Sequence, residues 1–479
     1  MKPLPLIFGL LALLLAGVSV FQLESARGGL TITREVWDGT PVTTYQGASE
    51  GGDLVLVAHG FAGSRQMMEA ISLTLARAGH RVVAFDFQGH GRHQTPLSPD
   101  ITTLTGTTED LVRQTLAIAE EARRVSGKTG LSLVGHSMAT DVVIRAADRL
   151  EAVESVVAIS MYSEAVRPDH PERLLVISGA QEGRLREVAL NAVAQIGPAE
   201  EGVTATADDV ERRAVAAPLV GHVGVLWAPF TKTEIASWVG ETAEPARTGP
   251  WIGGLLGAIL VLGWAAASLL PVTRDGAHGA SVKRALLSAV VPAPFAVAAS
   301  LLSLPLLGLA GFGALALFFG MWGVIGLTVL GKWPRLRLRP ILIASMLLAV
   351  AGLGLFALAL DRYGAAFLPT GPRFALALAL VPSMLAYIAW DRTVIAGRGV
   401  ALRVLLRLPF LLALGVAMGL NIPGMGLLFT VLPVFVLFLL VYGTMAYWVE
   451  ARLGPASAIP ATGIILAWSI AASTPLFAG

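Results

Sequence analysis

The chain changes character part-way along. Up to about residue 245, short apolar runs alternate with amphipathic stretches; beyond it, long apolar segments follow one another with brief polar breaks. In the first part, the pattern predicts strands over 30–37 and 41–46, joined at Asp38-Gly39, a pair that favours a tight hairpin turn. Short buried strands are expected over 54–58, 81–87, 131–134, 155–160 and 173–178, with a weaker one near 213–218. Between them, apolar positions recur at helical spacing over 64–78, 107–125, 138–150, 183–194 and 231–239. Strands alternating with helices specify a mostly parallel sheet with helices on both faces, an α/β fold.

The second part predicts membrane helices near 251–271, 285–305, 311–331, 341–360, 374–390, 408–424, 427–448 and 459–477. So many segments of bilayer length do not fit a globular core. A further apolar segment, about 3–23, follows Met1 and Lys2. Its length suits a signal peptide or a transmembrane helix. The nearest cleavage candidate, Glu24-Ser25-Ala26, places a glutamate at the outer position, so an uncleaved signal anchor is expected. The expected organisation is an anchor over 1–26, an α/β domain over 27–245 and an all-α membrane domain of about eight helices over 246–479.

Loop charges give this arrangement an orientation. With Lys2 in the cytoplasm, the loops expected inside, 273–284, 332–340, 391–407 and 449–458, carry 3, 4, 4 and 1 Lys or Arg. Those expected outside, 305–310, 361–373 and 421–426, carry 0, 2 and 0. The alternation follows the positive-inside rule and puts the α/β domain on the extracytoplasmic side. The spans offer no acidic or histidine cluster of the kind an ion path needs, and Asp361 and Asp391 are read as interfacial residues at span ends.

Composition agrees. Apolar residues make up 54% and charged residues 14% of the 479, against roughly 25% charged in typical globular chains. A net charge of +2 is too small to point to nucleic acid, and the absence of cysteine removes disulfides, thiolate catalysis and cysteine-held metals.

Leu131–Val134 runs into Gly135-His136-Ser137-Met138-Ala139, a strand, a tight turn with a serine at its apex, and a helix. This is the pattern of a nucleophile elbow, in which small flanking residues lift the serine hydroxyl clear of the sheet. A serine needs a base, an acid to orient the base, and donors for the developing oxyanion. In a parallel sheet these groups gather at the C-terminal strand ends. His222, in Gly221-His222-Val223-Gly224, follows the last strand and is the expected base. His59, His90 and His93 precede the elbow, His136 adjoins the serine, His80 starts a strand, His170 lies in a proline-containing loop, and His278 falls in an expected cytoplasmic loop. The acid is expected between Ser137 and His222. Glu182, in the turn after 173–178, is the first choice and Glu164 the alternative. The oxyanion donors are expected to be the backbone N–H groups of Met138 and Phe61.

These stretches resemble the α/β-hydrolase superfamily, in particular its monoacylglycerol-lipase-like and S33-peptidase-like serine hydrolases. The resemblance covers about residues 30–240. It rests on His59-Gly60-Phe61, Asp86-Phe87-Gln88-Gly89-His90-Gly91, Gly135-His136-Ser137-Met138-Ala139, Gly179–Glu182 and Gly221-His222. It departs at Ala139, where the family has glycine, and at Glu182, where aspartate is more usual. It implies a Ser-His-acid catalytic triad with no metal or organic cofactor, and structural roles for Asp86 and His90. Many relatives carry a cap domain after the strand that here ends at Ser160; only Met161–Glu172 stand in its place. The mouth is therefore expected to be open or roofed by membrane segments.

The function expected is a membrane-anchored serine hydrolase, esterase- or lipase-like, acting on a small or lipid-like ester in contact with membrane lipid. Peptidase and acyltransferase chemistry share the same residues. The contrasting readings are a non-catalytic ectodomain used for binding or sensing, and an accessory to a membrane transporter.

Overall fold

The hairpin at Asp38-Gly39 forms. β1 (Thr31–Trp37) pairs antiparallel with β2 (Thr40–Gln46), and Asp38 and Gly39 hold φ of 44° and 77°. The structure, a computed structural model, describes residues 3–48, 51–240, 242–273, 280–302 and 304–479; His278 lies outside them. The same sheet contains β3 (Leu54–Ala58), β4 (Arg81–Phe85), β5 (Leu131–His136), β6 (Val153–Ile159), β7 (Arg173–Gly179), β8 (Thr204–Ala207) and β9 (Val210–Ala217). Their spatial order is β1-β2-β4-β3-β5-β6-β7-β9-β8. The six strands from β4 to β9 pair in parallel; β1, β2 and β8 pair antiparallel. β8, absent from the sequence reading, is a four-residue edge strand of threonine and alanine with half its side chains exposed, and so carries little apolar signal.

The apolar runs of β3 and β5 are continuous because both strands are buried on both faces. Five helices flank the sheet; with the N-terminal α1 (Pro3–Ser25), they are α2 (Glu69–Arg77), α3 (Glu109–Ser126), α4 (Ala139–Ala147), α5 (Gly183–Ala194) and α6 (Pro229–Val239). α2 and α6 cover one face, where Leu73, Leu75 and Ile235 meet Val55, Val57, Val134 and Ile177. α3, α4 and α5 pack against the other strands' faces. Each aliphatic side chain fully withdrawn from water here contributes about 1.5–3 kcal/mol. Strand order reverses at β3: β4 lies on one side of it and β5 on the other. The loops leaving β3 and β5 thus open side by side at the switch point, where such sheets build their sites.

The chain forms two compact units. The sheet unit comprises Ser19–Gly253 together with Arg362–Ala366; the helical unit holds the chain up to Val18, Gly254–Asp361 and Phe367–Gly479. Within the sheet unit, Arg27 donates to both oxygens of Glu69 at 2.6 and 2.7 Å and to the carbonyl of Arg362 at 3.0 Å. Arg362 and Tyr363 donate to Glu24, and the Ala366 N–H donates to Ser64 Oγ at 3.0 Å.

In the second half lie α7 (Gly249–Ser268), α8 (Val282–Ser300), α9 (Phe312–Leu330), α10 (Leu338–Tyr363), α11 (Pro372–Ile395), α12 (Val400–Leu420) and α13 (Val431–Leu453). With α1 these make, among the described residues, eight helices long and apolar enough to cross a membrane, consistent with a multi-pass membrane protein. The ninth expected segment forms a shorter helix, α14 (Ile459–Ser473). α9 and α11 approach closely because glycine lines their contact: a Cβ on Gly323 would sit 2.2 Å from the backbone of Ala386. Phe319, Tyr387, Phe410 and Phe435 fill the space beside them. Asp391 corrects its interfacial reading. It is fully buried and accepts from Nε and Nη2 of Arg407 at 2.7 and 2.8 Å. Asp361 is buried as well and accepts from the N–H groups of Phe367 and Leu368.

Candidate active site

β5 ends at His136, and Ser137 turns sharply with φ 53°, in the left-handed region. A residue with a side chain is strained there. The turn is held because the Ser137 N–H donates to Ile159 O at 2.8 Å and Ser137 O accepts from Thr140 N–H at 2.9 Å. Gly135 has to lack a side chain: a Cβ would stand 2.7 Å from Ala139 O and 2.8 Å from Val143 Cγ2. Ala139, in the place of the usual glycine, fits fully buried.

The structure brings Ser137, His222 and Glu182 together. Ser137 Oγ lies 2.8 Å from His222 Nε2, and His222 Nδ1 lies 2.6 Å from Glu182 Oε1. The carboxylate can only accept, so Nδ1 carries the proton and Nε2 is left to accept from the serine hydroxyl. The other oxygen of Glu182 accepts from Gly179 N–H at 2.6 Å and Ser160 Oγ at 2.7 Å. Burial raises the Glu182 pKa, but the hydrogen bonds from His222, Gly179 and Ser160 outweigh it and hold the carboxyl below its ordinary range. Glu164 is exposed and stands outside this chain of hydrogen bonds.

The loop after β3 lies against Ser137. A Cβ on Gly60 would meet His136 Nδ1 at 2.8 Å and Ser137 Cβ at 3.0 Å. The next residue, Phe61, is anchored by its ring, edge-on to His90 at 5.4 Å. Met138 directly follows Ser137 and leads into α4. His59 ties this loop to the one after β4: its Nδ1 donates to Gly60 O at 2.8 Å, and its Nε2 accepts from Phe87 N–H at 3.1 Å. Asp86 is fully buried and accepts from the N–H groups of Arg65 and Arg92 at 2.8 and 2.9 Å and from the Arg65 side chain. It braces both loops and does not face the serine's partners.

Two contributors were not singled out from sequence. His136 Nε2 donates to His222 O at 2.9 Å, and Ser160 grips Glu182. Their signal was positional, since each sits at the C-terminal end of a central strand. Burial drives His136 down to about 4, so its ring is neutral at ordinary pH. His80, His93 and His170 lie elsewhere: Thr95 N–H donates to His93, and His170 approaches Ile144 O. Among the described residues, no three His, Asp or Glu side chains cluster as metal ligands.

Residues 53–194 match the protein family described as alpha/beta hydrolase fold. The first half of the chain is an α/β-hydrolase domain. A comparison with curated proteins returned no match. Among solved structures, the chain is similar to TT1662 from Thermus thermophilus, at 19% identity over 44% of this chain and 98% of that one, with a TM-score of 0.32. It is also similar to a predicted CIB-like hydrolase from Thermoplasma acidophilum, at 16% identity over 40% and 90%, TM-score 0.32. An epoxide hydrolase from Vigna radiata matches at 23% identity over 28% of this chain and 41% of its own length, TM-score 0.22. The hydrolase assignment rests on the family match, the sheet topology and the elbow.

Proposed function

We propose that the α/β-hydrolase domain is a membrane-anchored serine hydrolase that cleaves carboxylic esters. The observation that carries this reading is the continuous hydrogen-bonded series from Ser137 Oγ through both nitrogens of His222 to Glu182. A binding module has no use for a base aligned at 2.8 Å on a strained serine.

In the mechanism proposed, His222 Nε2 takes the Ser137 proton as Oγ attacks the substrate carbonyl. Glu182, kept ionised, fixes the imidazole tautomer and stabilises the imidazolium. The backbone N–H groups of Met138 and Phe61 are the proposed oxyanion donors, which matches the closeness of the Gly60 turn to Ser137. The oxyanion collapses, the imidazolium gives its proton to the leaving alcohol, and an acyl-Ser137 remains. Water, deprotonated by His222, then attacks the acyl carbon, and the carboxylate leaves as Ser137 recovers its proton.

Tyr162, Leu219 and Val223, on loops at the C-terminal strand ends, are exposed, Leu219 to 90%. An apolar rim of this kind favours a lipid-like acyl group. The extracytoplasmic placement follows from the loop charges.

A fluorophosphonate probe applied to the full-length protein in membranes tests the reading. Labelling of the wild type that disappears in both Ser137→Ala and His222→Ala is the expected result. A folded wild type that takes no label overturns it.

A further inference from the structure

The helical unit contains a polar cavity of about 480 Å³ where α11 and α13 end and α12 begins. Arg392, Arg398, Arg403, Tyr447 and Glu450 line it, with the Ala396–Gly399 connection between α11 and α12. Among the described residues, three guanidinium groups stand against one carboxylate in this lining, an excess of positive charge that favours an anion.

Among the described residues, the carboxylates at hand are already engaged. Asp391 is held by Arg407 through two hydrogen bonds. Glu450 accepts from Nε of Arg392 at 2.9 Å and also from its Nη2. Arg398 and Arg403 remain; among the described residues neither has a carboxylate partner. Both are nevertheless fixed. Arg398 donates through Nε to Val394 O at 2.6 Å and through Nη2 to Ala280 O at 2.7 Å. Arg403 donates through Nε to Arg398 O at 2.6 Å, and its guanidinium stacks 4.1 Å over the Tyr447 ring. These bonds leave Nη1 of Arg398 and both Nη groups of Arg403 for a ligand. Gly399 caps α12, a helix of 21 residues, so the first-turn N–H groups and positive dipole end open beside the same cavity.

We propose that this cavity binds a phosphate-bearing anion clamped by Arg398 and Arg403. Two immobilised guanidinium forks suit phosphate oxygens, and the helix end adds donors of the same sense. The phosphate is that of an anionic phospholipid headgroup or of a soluble phosphate. Basic pockets between membrane helices on the cytoplasmic side serve the first purpose in general, and the loop charges put 391–407 on that side.

The test is thermal unfolding of the full-length protein in neutral detergent, titrated with short-chain phosphatidylglycerol, phosphatidylcholine of the same chain length, inorganic phosphate, or chloride at matched ionic strength. The expected result is a rise in Tm with phosphatidylglycerol or phosphate but not with phosphatidylcholine or chloride. In Arg398→Gln/Arg403→Gln the apparent affinity should fall at least about tenfold, as for two lost charge-assisted contacts. A rise with phosphatidylglycerol alone identifies a lipid headgroup; a rise with inorganic phosphate as well identifies a soluble source. No rise with either probe, or an equal rise in the double variant, overturns the proposal. Should the glutamine pair not fold, Arg398→Lys/Arg403→Lys replaces it. Lysine keeps the charge without the fork, so weaker binding is still expected, and unchanged affinity overturns the proposal.

Discussion

His136 Nε2 lies 2.9 Å from the carbonyl oxygen of His222, so the residue beside Ser137 holds the loop that carries His222. Only a neutral ring with its proton on Nε2 can make this bond without charging a buried site. Burial lowers His136 from 6.5 to about 4, and His59 and His93 are lowered by burial too. Between the unfolded and folded values the unfolded chain binds more protons, so stability falls as pH drops from 6.5 toward about 4. Tm measured across this window should decline, and the decline should be shallower in His136→Gln. A variant with an unchanged slope would rule out this role for His136.

Glu182→Gln keeps the shape of the acid but can offer an amide N–H to His222 Nδ1, which favours the wrong tautomer. The expected loss in kcat is about a thousandfold or more with KM little changed, by analogy with acid-to-amide changes in such triads. Glu182→Asp, which keeps the charge, should lose much less. Probe-labelling rates of the two variants provide the comparison.

Gly60→Ala tests the closeness of the two loops. Its new methyl would meet His136 and Ser137 within 3.0 Å. The cost in stability should be about 1–3 kcal/mol, typical of overpacking. Activity should fall further than stability, because the displaced atoms belong to the nucleophile's turn. Denaturation midpoint and labelling rate, measured on one preparation, separate the two effects.

In the helical unit, Asp391→Leu leaves Arg407 buried without its partner, and about 3–5 kcal/mol should be lost. Asp391→Leu/Arg407→Met removes both charges and should recover most of that. Tm of the three proteins in the same detergent checks the cycle; a double variant no more stable than the single one would count against the pairing.

The grouping of Ser137, Glu182 and His222 was legible in the sequence. Ser137 and Glu182 follow strands of strong apolar character, His222 follows a weaker one, and parallel strands deliver their C-terminal ends to one edge. β8 escaped because Thr204–Ala207 is a short, half-exposed edge strand. The choice between Glu182 and Glu164 needed the Gly179 turn, whose N–H aims one oxygen and leaves the other for His222. Asp391 was misread because its partner, Arg407, lies sixteen residues onward in the next helix, a pairing that spacing within one span cannot reveal. Arg362–Ala366 was equally hidden, since its polar groups reach Glu24, Arg27 and Ser64 only after the chain has folded back.

That last segment bears on how the protein is made. Ser64 stands four residues past Gly60, and its hydroxyl accepts from Ala366. The hydrolase domain is therefore discontinuous: its last piece leaves the ribosome after α7, α8, α9 and most of α10. A fragment cut at residue 245 would lack the Arg362 and Tyr363 partners of Glu24 and the Ala366 N–H that meets Ser64. The sheet unit is therefore complete only once Arg362–Ala366 has been synthesised, well after its last strand.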